Sequence, residues 1–331
     1  MRLPGEQMSE ISFARALNEA LRDSLADDPR VVVFGEDVAA AGGSFGVTRD
    51  LQRQFGRSRV RDAPISEAAI AGAAVGAAIS GLRPVIEIMF MDFVGFAMDA
   101  LVNQAAKAHF MFGGQCCVPL VARTPHGGGL GAGPQHSQCL EAWFAHVPGL
   151  KVVCPSNPSE GYALLRASIA DSNPVIFVEN KTLYGVRAEI SDPRPQALLS
   201  RARVARSGGD VTIVTYGAMV GVALGAADEL ANRGIEVEII DLRTLQPWDE
   251  HAVADSLQRT HRLVVFHEAV AAFGVGAEIV ARMVHIAFDE LDAPPLRVGA
   301  PFMPVPFSPS LESCQRPSAR ELIAAVLEVM E

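Results

Sequence analysis

Short runs of apolar residues recur along this chain, with helix-spaced segments between them. The runs fall at residues 31–35, 84–90, 118–123, 150–154 and 174–178, and again at 211–216, 237–242, 262–267 and 296–298. Most are apolar on consecutive positions, as strands covered on both faces are. Parallel strands need a crossover between them, usually a helix. The expected fold class is therefore α/β, with mostly parallel sheets flanked by helices. One run departs from the pattern. Ile235, Val237 and Ile239 alternate with Glu236 and Glu238, which sets the start of that strand near an edge or a polar face.

The intervening segments carry helix signals. Ser12 can cap a helix over 13–26, whose apolar positions Phe13, Leu17, Leu21 and Leu25 share one face. Helices over 66–80 and 219–233 end at Gly81 and Gly234, where a left-handed cap is wanted. Further helices are expected over 94–110, 158–170, 273–288 and 318–330. Residues 187–210 hold Pro193, Pro195, Gly208 and Gly209 with little periodicity, so a linker is placed near 188–205. The expected division is a first domain over 1–190, a linker over 191–205 and a second domain over 206–331. A length of 331 residues suits two domains at roughly 150 residues each.

Composition narrows the function classes. Lys and Arg total 28 against 38 Asp and Glu, a net charge of −10. Such a chain is poorly suited to nucleic acid, which is bound by clustered cations. Basic proteins or peptides are more natural partners. The five cysteines, Cys116, Cys117, Cys139, Cys154 and Cys314, form no CxxC, so neither a disulfide framework nor a structural zinc site is expected. They read as buried, reduced thiols of a cytosolic protein. Residues 1–10 show no signal-peptide pattern. The longest weakly polar run, 68–82, is shorter than the ~20 residues of a membrane span and reads as a closely packed buried helix. Cytoplasmic location, without membrane contact, is the expectation.

Four features could carry chemistry. Glu36 and Asp37 directly follow an apolar strand, where α/β proteins bind ligands, although a helix cap or solvated turn is the plainer reading. Ser66 and Glu67 open the Ala/Gly-rich helix, so Glu67 is either a plain first-turn acid or a carboxylate fixed in a cleft. His136 lies on a loop among Gln135, Ser137 and Gln138, where an imidazole can move protons near neutrality. Phe90, Phe93 and Phe96 surround Asp92, either as core or as a face for a planar ring. The loop Gly127, Gly128, Gly129 is flexible or approaches a ligand. No GxGxxG follows a strand, no GxxxxGK[ST] occurs, and no GxSxG marks a serine hydrolase.

The motifs also occur in a telling order. GEDV (35–38), DAPISE (62–67), GLRPVIE (81–87), GGQCCVP (113–119) and GPQHSQ (133–138) are followed by EAWFAHVPGLKVV (141–153), NPVIFVEN (173–180), VTIVTYG (211–217), IDLRTLQP (240–247) and FGVGAEI (273–279). Over nearly its whole length the chain resembles the beta subunit of a thiamine-diphosphate-dependent 2-oxo acid dehydrogenase. Acetoin dehydrogenase beta subunits are close relatives of that family. The resemblance implies a pyrimidine-binding domain followed by a transketolase C-terminal domain. It also implies assembly with an alpha subunit as two alpha and two beta chains.

In that family the cofactor's diphosphate and Mg²⁺ are held by a GDG motif on alpha, and this chain has no GDG. By position, Glu67 matches the glutamate that binds the aminopyrimidine and Phe93 the aromatic that stacks on it. His136 matches the histidine that manages protons near substrate and lipoyl group, and Glu36 an acid between paired active sites. A structural K⁺ would take carbonyls of Leu120, Ser168, Asp171 and Asn173. The implied activity is oxidative decarboxylation of pyruvate or a branched-chain 2-oxo acid, with acyl transfer to a lipoyl-bearing acyltransferase. Acetoin cleavage, a specialised acyl transfer on the same cofactor, and a non-catalytic assembly subunit are the alternatives. Three places depart from the family pattern: His267-Glu268 replaces Asp-Glu, Ala63 replaces a common Thr, and the linker has less glycine than usual.

Overall fold

The computed structural model describes residues 7–331. In chain order the N-terminal half holds β1 (Gln7–Ser12), α1 (Phe13–Asp27), β2 (Val31–Gly35), α2 (Leu51–Phe55), β3 (Val60–Asp62), α3 (Glu67–Ile79) and β4 (Arg83–Glu87). It continues with α4 (Ala106–Met111), β5 (Val121–His126), α5 (Glu141–Ala145), β6 (Lys151–Val153), α6 (Pro158–Ala170), β7 (Val175–Asn180) and β8 (Arg187–Asp192). The C-terminal half holds β9 (Arg203–Arg206), β10 (Val211–Thr215), α7 (Met219–Ala231), β11 (Val237–Asp241), β12 (Thr244–Gln246) and α8 (Glu250–Thr260). Then come β13 (Leu263–Val270), α9 (Val275–Ile286), β14 (Leu296–Ala300), α10 (Pro309–Gln315) and α11 (Ala319–Met330).

These strands form a seven-stranded sheet in the order β12-β6-β7-β5-β4-β2-β3 and a five-stranded sheet in the order β14-β13-β10-β11-β9. Both are mostly parallel, as the apolar runs require. An antiparallel ribbon of β1 and β8 stands apart. Three of the caps behave as expected. Arg15 N–H reaches Ser12 Oγ at 3.2 Å, and Gly81 and Gly234 take positive φ after their helices.

Several expectations need correction. The linker region is partly structured: β8 pairs with β1, and β9 adds an antiparallel edge beside β11. The strand with alternating glutamates, β11, is interior over 239–241, where β9 covers it, while its start lies outside that pairing. Glu238 is buried and paired with Arg259, which is why a charge is tolerated there. The helix expected over 94–110 divides into a 3₁₀ segment (Met91–Ala97), a π segment (Asp99–Ala105) and α4. Apolar spacing is too similar in the three helix types to separate them. Ser66 precedes α3 without capping it; its hydroxyl donates to Pro64 O instead, at 2.8 Å. The same helix is only half buried. Ile70, Ala71, Ala74, Val75 and Ala78 face the core, while Ala69, Gly72, Ala73 and Gly76 are exposed. Of the cysteines only Cys154 is buried, and all five are free. Among the described residues, no helix is long and apolar enough to cross a membrane.

The two halves share a core. One apolar cluster runs from Ile70 and Ile86 through Leu150 to Val265 and Ile279. Strand β12, from the C-terminal half, completes the N-terminal sheet against β6.

Candidate active site

Strand β2 is followed in the chain by β3 on one side of it, and β4 by β5 on the other. The connections leaving β2 and β4 therefore diverge at their carboxyl ends, and such a switch point opens a crevice in an α/β sheet. Glu36 leaves β2 at this point. Phe90 and Phe93 follow β4.

Glu36 is 5% exposed, so a solvated turn is the wrong description of it. Its Oε1 accepts the Ser66 N–H at 3.3 Å. Burial, and then the nearby charge of Glu67, push its pKa up against that hydrogen bond. Glu67 is half-buried in the first turn of α3, where the helix dipole favours a carboxylate. Burial and the neighbouring Glu67 thus make the Glu36 carboxyl easier to protonate than an ordinary one.

The second group is aromatic. The His136 ring meets Phe90 edge-on at 4.9 Å and Phe93 edge-on at 5.3 Å. Phe45, on the loop after β2, packs edge-on against Phe90 at 6.2 Å, so that loop and the β4 aromatics close on each other. Phe96 is exposed and outside the group. Lys181, at the end of β7, is buried. Its ammonium lies over the Phe90 ring at 5.4 Å and donates to the His136 carbonyl. Burial pulls its pKa down, opposed by the charges of Asp92, Glu312 and Glu268. Sequence reading missed Lys181, because nothing local joins it to His136.

Beneath this floor, Arg123 on β5 bridges two acids. Its Nε and Nη2 donate to Glu179 at 2.7 and 2.8 Å, and its Nη1 to Glu87 at 2.7 Å. All three are buried. Desolvation still raises the Glu87 pKa, although Arg123 opposes it.

The amides of the glycine loop are occupied, although Gly128 lines one cavity. Gly128 N–H donates to Glu268 Oε1 at 2.7 Å, and Gly129 and Gly131 N–H donate to the two oxygens of Glu312 at 2.8 and 2.9 Å. A side chain on Gly129, at φ +95°, would meet Arg316 at 2.5 Å. Backbone N–H groups that could cradle an anion are filled by the chain's own carboxylates. Glu268, which follows the departure at His267, also accepts Asn180 Nδ2 and Arg316 Nε.

Behind the loop lies a polar cluster. Glu141 is fully buried and accepts the Tyr216 hydroxyl at 2.8 Å. Its other oxygen faces His126 Nδ1 at 3.5 Å, and neither of those atoms completes a hydrogen bond. Burial would raise the Glu141 pKa, but His126 and Tyr216 outweigh it and hold it down. His126, Cys139 and Glu141 are the one set among the described residues with metal-type ligand atoms grouped, within 4.8 Å of one another. Two cavities of about 340 and 1160 Å³ flank Cys139 and Leu140, between the halves.

The proposed K⁺ carbonyls lie at the opposite end of the sheet. Leu120 O accepts Val175 N–H at 2.8 Å, and Asp171 O accepts Arg83 Nη1 at 2.9 Å. Lys151 holds the Asp171 carboxylate.

The sequence matches known proteins over nearly the whole chain. Residues 9–187 match the transketolase pyrimidine binding domain, and residues 200–322 the transketolase C-terminal domain. The beta subunit of acetoin:2,6-dichlorophenolindophenol oxidoreductase from Bacillus subtilis is 44% identical, covering 97% of each chain. That of Cupriavidus necator is 45% identical over 97% of this chain and 98% of its own. The pyruvate dehydrogenase E1 component beta subunit of Rhizobium meliloti is 42% identical over 98% of this chain and 71% of its own. The chain belongs to the transketolase-like beta subunits of pyruvate and acetoin dehydrogenases. A solved split-gene transketolase, titled an inactive beta4 tetramer, superposes with a TM-score of 0.80 over 97% of this chain and 98% of that one. At 23% identity that likeness speaks to fold.

Proposed function

We propose that this chain is the beta half of a thiamine-diphosphate-dependent 2-oxo acid dehydrogenase that works with an alpha subunit. The observation that carries the reading is the Glu36–Glu67 acid pair beside the Phe93–His136 contact at the switch point. These residues fit one end of the cofactor. Glu67 would hydrogen-bond a ring nitrogen of the aminopyrimidine, and Phe93 would offer the ring a face. They do not fit the other end, because a diphosphate at the glycine loop would meet Glu268 and Glu312. Diphosphate and Mg²⁺ therefore fall to the alpha chain, and so does much of the substrate pocket.

Bound thiamine diphosphate supplies the carbon nucleophile and electron sink that break the bond beside the substrate carbonyl. The protein's part is proton control and exclusion of water. Glu36, whose pKa burial and Glu67 push up, is placed to take up a proton more readily than an ordinary carboxylate. His136 is presented by its loop to donate or accept a proton where substrate and lipoyl group meet, with its ring fixed by Phe90 and Phe93. The acyl unit passes to a lipoyl-bearing acyltransferase. The exposed small-residue face of α3 supports a partner chain, since a Gly and Ala surface allows close helix approach. K⁺ at Leu120, Ser168, Asp171 and Asn173 would be structural, and Arg83 and Lys151 already supply cations to that corner.

Acetoin cleavage is the second reading. It is supported by the 44% and 45% identities to acetoin enzyme subunits over 97% of this chain. Co-expression with an alpha chain, then a panel of pyruvate, 2-oxoisovalerate and acetoin with an artificial electron acceptor, decides between them. Glu67→Gln in the complex is expected to lower turnover by at least about 100-fold while assembly stays intact. Unchanged turnover would favour a non-catalytic assembly subunit.

A further inference from the structure

The loop that carries His136 is held from the other half of the molecule. Glu312, on α10, is 3% exposed. Among the described residues its carboxylate accepts the N–H groups of Gly129 and Gly131 and has no ion-pair partner within 4.0 Å. A buried negative charge spent on two glycine amides is costly unless the geometry it fixes is needed. The next residues continue the hold. Gly133 takes φ +75°, and a side chain there would lie 2.2 Å from the Phe307 ring. Gly133 O accepts the His136 N–H at 3.3 Å. On the far side, Lys181 holds the His136 carbonyl. From Gly129 to His136, the chain is thus pinned by Glu312 and Phe307 of the C-terminal half and by Lys181 of the N-terminal half.

We propose that Glu312 is a positioning residue for His136: by binding Gly129 and Gly131 it sets where the loop presents the imidazole. Glu312 touches neither His136 nor the acid pair, so its effect passes through the loop backbone and through its charge on Lys181, which holds the His136 carbonyl. The inference rests on the role given to His136 above. It adds that the C-terminal half, rather than the sheet alone, sets that side chain's place.

The test uses the assembled alpha–beta complex. Glu312→Gln keeps the shape but leaves one carbonyl oxygen for two N–H donors. It is expected to lower kcat about 10- to 100-fold, with KM nearly unchanged, because small misplacements of a reacting group cost that much. In a His136→Ala background the same change should cost less than about twofold, since coupled residues are non-additive. Amide exchange over residues 127–137 should rise in Glu312→Gln without change in the sheet strands. Equal losses of kcat in both backgrounds, or unchanged exchange, would overturn the proposal. Phe307→Leu, at an exposed side chain, is the second variant should Glu312→Gln fail to fold. It should raise exchange at 131–136 and lower kcat in the same coupled way. Failure of the functional reading looks different: the wild-type complex would show no thiamine-dependent turnover, while exchange still reports whether Glu312 holds the loop.

Discussion

Glu36 and Asp241 are two acids whose burial works against ionisation, and the second offers a readout that needs no substrate. Asp241 is fully buried at the end of β11. Desolvation raises its pKa to about 6, against the Ser156 hydroxyl at 2.6 Å and Arg203 at 3.3 Å. The folded chain therefore holds a proton there that the unfolded chain has released. More protons bound in the folded state means stability that falls as pH rises, here between about 4 and 6. Asp241→Asn should remove this slope. Denaturant titrations at pH 4 and pH 6.5 are expected to show the wild type losing about 2 kcal/mol relative to the variant. At this scale, the acid after β2, the acid opening α3 and the histidine among amides were all legible, because each sits beside a local signal. Lys181, Glu268, Glu312 and the Glu141–Tyr216 pair were not. Their partners are distant in sequence, and no short pattern records such a contact.

Elements were legible wherever periodicity was strong. Most strands were found, since a buried parallel strand is apolar at every position. The short pieces α2, β3, β9 and β12 were missed, because three to five residues carry too little pattern to stand out. Strand β5 runs through Pro125 and His126, although proline lacks a donor. It pairs with β4 only as far as Arg123 and with β7 to the end, so one side of it is free where the proline falls. Turns were read as punctuation, yet one is a packing site. Gly149, at φ +102° before β6, would bring a side chain within 2.0 Å of Ala106 O. Gly149→Ala combines backbone strain with overpacking and should cost about 3 kcal/mol. A thermal melt showing no fall in Tm would refute that close approach.

At the scale of the molecule, the apolar surface is larger than a lone chain needs. Ile65, Ile79, Phe110, Trp143, Phe273 and Phe302 are exposed, and so is the Gly and Ala face of α3. Composition had suggested a closely packed buried helix, and the half left bare agrees with the assembly proposed above. Ala73→Glu should fold with an unchanged Tm, because the site is exposed and glutamate suits a helix. In the complex it would bury an unpaired charge, and the alpha–beta Kd is expected to rise by roughly 100-fold or more. Analytical ultracentrifugation of the co-expressed pair is the measurement. An unchanged Kd would move the interface away from α3.

Strand β12 has a consequence for how the protein is made. Chains emerge N-terminus first, and early domains generally fold as units. Here the first sheet cannot close in that order. Its β6 edge stays unpaired until Thr244–Gln246, beyond the whole β10-α7-β11 unit, has been synthesised. A nascent chain therefore carries an open strand edge, a template for mispairing with its neighbours, through much of translation. Cleavage between the halves would leave that edge permanently bare, so fragments ending near residue 200 should be sparingly soluble even with every other strand of the first sheet present.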